Sequence, residues 1–84
     1  MHLLEARVGQ KVKTTQALGP DVPLGVSILW CRSFKIDEEA TVSEINNDSV
    51  LIITGNGSGC DPENKYLRVY STENGDLPQL ELAT

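Results

Sequence analysis

Residues that turn a polypeptide recur at short intervals along this chain. They are Gly9, Gly19-Pro20, Pro23, Gly25, Asn46-Asn47-Asp48, Gly55 to Gly59, Pro62 and Glu73-Asn74-Gly75-Asp76. Gly supplies positive φ, Pro fixes φ, and Asn and Asp tolerate left-handed geometry. The segments between them are short, rich in β-branched residues and mostly alternating. Short strands at regular spacing predict an all-β fold, a small antiparallel barrel or sandwich of five to six strands. No segment carries a convincing helical period. Leu3 to Arg7 has room for a single turn, too short to stand alone.

The strands follow from the alternation. Val8 to Gln16 contains Lys11-Val12-Lys13-Thr14-Thr15, the first strand. Gly25 to Ile36 places Val26, Ile28, Trp30, Phe34 and Ile36 at alternate positions, with Arg32 interrupting. Ala40 to Ile45 and Ser49 to Thr54 form a hairpin around Asn46-Asn47-Asp48. Val50-Leu51-Ile52-Ile53 is apolar on both faces, so this strand is expected to be the most buried. In Lys65 to Ser71, Leu67 and Val69 share one face and Tyr66, Arg68 and Tyr70 the other. Leu77 to Leu82 ends the series. The expected core is Val12, Ile28, Trp30, Val42, Ile45, Val50, Ile52, Leu67, Val69, Leu80 and Leu82. Leu51 and Ile53 then need a cover, from the Gly25 to Ile36 segment or from a second subunit in a homodimer.

The 84 residues make one domain, residues 1–84, with a small core. A hydrophobic share of 39% excludes global disorder. No apolar run approaches the roughly 20 residues of a membrane-spanning helix. The opening residues lack the basic start, apolar stretch and small-residue site of a secretory leader, so a cytoplasmic location is the expectation.

Val8-Gly9-Gln10-Lys11-Val12-Lys13 resembles the opening strand of Src-homology-3-like and KOW-like small barrels. Ala40 to Ile45 resembles their second strand, Ser49 to Thr54 its hairpin partner, and Tyr66 to Tyr70 the fourth. Leu77 to Leu82 resembles their short closing strand after a tight turn. The likeness spans most of the chain and consists of patterns. It departs at Gly25 to Ile36, which is longer and more apolar than the family's first loop and reads as an extra hairpin. Such barrels bind proline-rich peptides, methylated tails, ribosomal RNA and ferredoxin, so the resemblance implies a binding module without selecting its ligand.

The residues offer little for catalysis, and no enzyme activity, cofactor or metal is expected. His2, Cys31 and Cys60 are isolated, without metal-ligand spacing. Cys31 and Cys60 read as free thiols in a reducing compartment, a pairing between them being the alternative. Gly55-Asn56-Gly57-Ser58-Gly59-Cys60 follows a strand as a phosphate loop does, but it lacks the Gly-Lys-Ser/Thr ending and Asp61-Pro62-Glu63 follows it. Asp37-Glu38-Glu39 and Asp61-Pro62-Glu63-Asn64 read as solvated turns rather than calcium loops. The single His and the lack of a Gly-x-Ser-x-Gly elbow leave no nucleophile constellation.

The candidate binding surface is Tyr66, Arg68 and Tyr70, joined by Lys11 and Lys13. Rings beside a guanidinium stack bases, grip prolines or anchor protein interfaces. The bland alternative is a solvated sheet face, since Tyr favours strands on its own account. Residues 1–36 hold five basic side chains against two acidic ones, and residues 37–84 hold two against ten. The formal net charge is −5, which disfavours a general nucleic-acid binder. The leading expectation is a non-catalytic module that binds a protein or a second copy of itself. A nucleic-acid-binding barrel using Arg7, Lys11, Lys13, Arg68, Tyr66 and Tyr70 is the alternative.

Overall fold

The computed structural model describes residues 1–18, 34–55 and 64–83, and the backbone of 26–30. One 3₁₀ turn, Leu3–Glu5, precedes six strands: β1 Lys11–Thr14, β2 Val26–Trp30, β3 Glu39–Ile45, β4 Ser49–Ile53, β5 Tyr66–Tyr70 and β6 Leu80–Leu82. They form one sheet in the order β2-β5-β4-β3-β1-β6. Every neighbouring pair is antiparallel. The all-β expectation is met, and each expected strand segment contains a strand. Val26–Trp30, β2, extends the sheet beyond β5 as an edge strand. The side chains of Ile28 and Trp30, both cysteines and residues 56–63 lie outside the described residues.

Alternation explains which face is buried. Val12, Ala40, Val42, Val50, Ile52, Leu67, Val69 and Leu80 point to one side and are almost fully enclosed. Leu18, Phe34, Leu77 and Ala6 join them in one cluster. Among the described residues no second sheet or long helix packs on that face. Among the described residues, Leu18, Phe34 and Leu77 from the connecting segments help to shield it. Leu18 and Phe34 form an isolated bridge, with both backbone bonds made, at 2.9 and 2.8 Å.

A bulge in β3 reconciles two apolar positions that strict alternation separates. Val42 lies opposite Ile52 and Ile45 opposite Val50, while Glu44 pairs with Leu51. Ser43 is the extra residue, and it turns Glu44 away from the core. Ile45 thus has the register of a core residue but is 37% exposed, because it ends the strand at the hairpin. Leu82 lies opposite Val12 and is 38% exposed, because it ends the edge strand β6. Both were expected inside, and both sit at the rim. Ile36, in the same alternation as Phe34, is also exposed.

Polar anchors hold the ends. Thr14 is fully buried. Its hydroxyl donates to the Lys35 carbonyl and accepts the Glu38 N–H at 3.0 Å, which fixes the turn between them. Asp37 in that turn has φ 62°, a left-handed conformation that Asp tolerates. At the chain's start, His2 Nδ1 accepts the Leu4 N–H at 3.1 Å, and Glu5 accepts the His2 N–H at 2.8 Å. This reciprocal pair caps the 3₁₀ turn. His2 Nε2 donates to the Asn74 carbonyl at 2.7 Å, so the ring also binds the turn before β6. Gly75 sits under that ring with φ +85°, and a Cβ there would lie 2.8 Å from His2 Cε1.

Gly9 provides a control, since its φ is +89° but nothing lies within 4 Å of its Cβ position. Gly9→Ala should cost about 1–2 kcal/mol from backbone strain alone. Gly75→Ala should cost visibly more in urea unfolding, and the excess should vanish when His2→Ala is added. Equal losses for the two glycines would show that His2 does not pack on Gly75.

Candidate functional site

The candidate residues share the second face of the sheet, opposite the core. Tyr66 lies opposite Ile53, Arg68 opposite Leu51 and Tyr70 opposite Ser49. Ile53 lies opposite Thr41, which lies opposite Lys11. One row across four strands therefore reads Tyr66, Ile53, Thr41, Lys11. Lys13 lies opposite Glu39 on one side and Glu81 on the other. The structure thus places all five candidates on one face, with Lys11 and Lys13 two strands from β4 and three from β5.

Burial on this face is graded. Leu51, Ile53, Tyr66, Arg68 and Lys13 are half-buried, and Lys11 is exposed. Tyr70 is 38% exposed. Leu51 and Ile53 gain shelter from their cross-strand neighbours and remain partly open. On β4, Val50 and Ile52 of the core face and Ser49 of the second face are fully enclosed, while the apolar Leu51 and Ile53 are only half-buried.

Arg68 is the most constrained of the five. Its Nη1 donates to Ser49 Oγ at 3.1 Å. Ser49 is fully buried. Nη2 lies 3.5 Å from Glu44 Oε2, with 11% of the Arg68 side chain and 58% of the Glu44 side chain exposed. Glu44 reaches Arg68 because the Ser43 bulge moves it to this face. Sequence reading missed this partner; Val42 and Ile45 standing three residues apart was its signal.

A second ion pair lies where β5 begins. Lys65 Nζ contacts Glu38 Oε2 at 2.6 Å and lies 5.5 Å from the centre of the Phe34 ring. Glu38 Oε1 accepts the Lys35 N–H at 2.8 Å. Its carboxylate therefore ties the 35–38 turn to β5, a structural role in an acidic segment that reads as a solvated turn in the sequence.

Among the described residues, no group of three or more His, Cys, Asp or Glu side chains comes together to hold a metal ion. Nor is any described helix long and apolar enough to cross a membrane. Comparison with known proteins gave no matching family model, no matching curated protein and no matching solved structure.

The two faces of β4 should respond differently to substitution. Ile52→Asp buries an unpaired charge in the core and should abolish the folded state. Ile53→Thr, one residue on, should cost about 1 kcal/mol and leave a cooperative unfolding transition. Circular dichroism during urea titration distinguishes the two. A folded Ile52→Asp variant would mean that the assignment of faces is wrong.

Proposed function

We propose that this protein is a non-catalytic, small-barrel binding module of the Src-homology-3-like kind that recognises a protein through the second face of its sheet. One observation carries the reading. On that face two tyrosines and an arginine stand beside two half-buried aliphatic side chains, Leu51 and Ile53. Tyr and Arg over an apolar floor are the residues that dominate protein interfaces. The barrel form draws support from β6 returning to pair with β1 and from one core cluster that gathers side chains from β1, β3, β4, β5 and β6.

The charges on the face favour a protein over a nucleic acid. Phosphate binding needs cations free to neutralise it. Here Arg68 faces Glu44, and Lys13 stands between Glu39 and Glu81. Lys11, the third cation among the five candidates, lies opposite Thr41. A second copy of the chain is one form that the protein partner takes in this reading.

Tyr66→Ser with Tyr70→Ser is the direct test. Immobilised wild-type protein should retain a specific partner from its native lysate at low and high salt, and the double variant should lose it. The variant's melting temperature should fall by only a few degrees, since both side chains are partly solvated. Sedimentation of both forms reads self-association. A partner removed by nuclease or by moderate salt would replace this reading with the nucleic-acid one.

A further inference from the structure

Arg68 is a guanidinium that has been buried without being well matched. Only 11% of its side chain is exposed, yet the one carboxylate beside it among the described residues lies 3.5 Å away on a Glu44 side chain that is 58% exposed. Arginine–carboxylate pairs normally close to about 2.7–2.9 Å and are frequently bidentate. Its other described partner, Ser49 at 3.1 Å, is neutral. Taking a guanidinium out of water costs several kcal/mol unless the geometry of its partners is good. A neutral hydroxyl and a distant, solvated carboxylate offset that cost only in part. Among the described residues two of its five N–H donors have partners, which leaves donors for a better-placed anion.

We propose that Arg68 is the specificity residue of this face and takes an Asp or Glu side chain of the protein partner, with Glu44 standing in for that carboxylate in the free protein. The assignment rests on reading the face as a protein-binding surface. The stand-in is cheap to displace, because an ion pair to an exposed carboxylate contributes little. The exchange keeps one carboxylate on the guanidinium, while the exposed Glu44 side chain has room to turn into solvent. Tyr66 and Tyr70 occupy the same face of β5 on either side of Arg68, and Leu51 lies directly opposite it. An incoming acidic side chain therefore meets a cation set in an aromatic and aliphatic surround, where water is displaced and the pair is strengthened. A phosphoryl group fits less well, because Glu44, Glu39 and Glu81 share the face and repel its extra charge.

The test is a nuclear magnetic resonance titration of the ¹⁵N-labelled protein, following the Arg68 side-chain Nε–H signal. The probe is glutamate capped as its acetyl methylamide, with capped glutamine and inorganic phosphate as controls. Capped glutamate should shift the Arg68 signal saturably, and Glu44→Gln should tighten that binding by about two- to fivefold, the scale of one exposed ion pair. Capped glutamine should produce no shift, and phosphate should bind more weakly. Arg68→Lys should lose the effect while keeping the amide spectrum of a folded chain. If that variant does not fold, the comparison of wild type with Glu44→Gln decides alone. An Arg68 signal that ignores capped glutamate in Glu44→Gln overturns the proposal, as does tighter binding of phosphate. Loss of the partner in the double tyrosine variant, together with normal partner binding by Arg68→Lys, would retain the docking surface and discard the carboxylate.

Discussion

Everything in this structure depends on enclosing one face of a single sheet. The chain has no second sheet and no long helix among its described residues to lay against Val12, Val42, Val50, Ile52, Leu67 and Val69. Their burial is the main favourable term in folding so small a domain. A flat sheet would leave them in water. Short connecting segments help to close over them: among the described residues Leu18, Phe34, Leu77 and Ala6 join the cluster, and Met1 and Leu3 pack against it.

Such closures bring backbone polar groups into dry surroundings, so each is secured by hydrogen bonds. Thr14 shows the logic: a polar side chain in a core strand satisfies the carbonyl of Lys35 and the amide of Glu38. The 35–38 turn is then fixed, and Glu38 extends the link to Lys65 at the start of β5. At the other end His2 joins the first turn to the 72–76 turn, while the Leu3 N–H donates to the Gly75 carbonyl at 2.8 Å and the Leu77 N–H to the Met1 carbonyl at 2.7 Å. These contacts join residues more than seventy positions apart. They give the short edge strand β6 a defined approach to β1.

The fold class and all six strand segments were legible because period two is a direct record of which face is buried. The alternation in Lys65 to Ser71 reports both faces of β5 correctly. Where alternation breaks, sequence reading loses the thread. The bulge at Ser43 hides the pairing of Glu44 with Arg68, although the three-residue step from Val42 to Ile45 betrays it. Ile45 and Leu82 have inward register, but an apolar residue at a strand's end reaches a rim that alternation cannot reveal. Leu18 and Leu77 lie in loops, and their burial depends on long-range closure. Of the candidate site, the shared face of Tyr66, Arg68 and Tyr70 was visible; Lys11 and Lys13 lie on the same face but three strands away, a distance set by the strand order that alternation does not reveal. The restraint of Arg68 by Ser49 and Glu44 was not visible, since it arises from three strands meeting.

The same enclosure that makes one face a core leaves the other as the surface the protein presents. Leu51, Ile53 and Tyr66 differ from Val50, Ile52 and Leu67 by one position each, and that single step decides whether a side chain is enclosed or left half-open. The most direct measurement is solvent mapping by magnetic resonance with a neutral soluble paramagnetic probe. Side-chain signals of Leu51, Ile53 and Tyr66 should broaden well before those of Val50, Ile52 and Leu67. Equal broadening of the two sets, or the reverse order, would contradict the one-sided core on which the account is built.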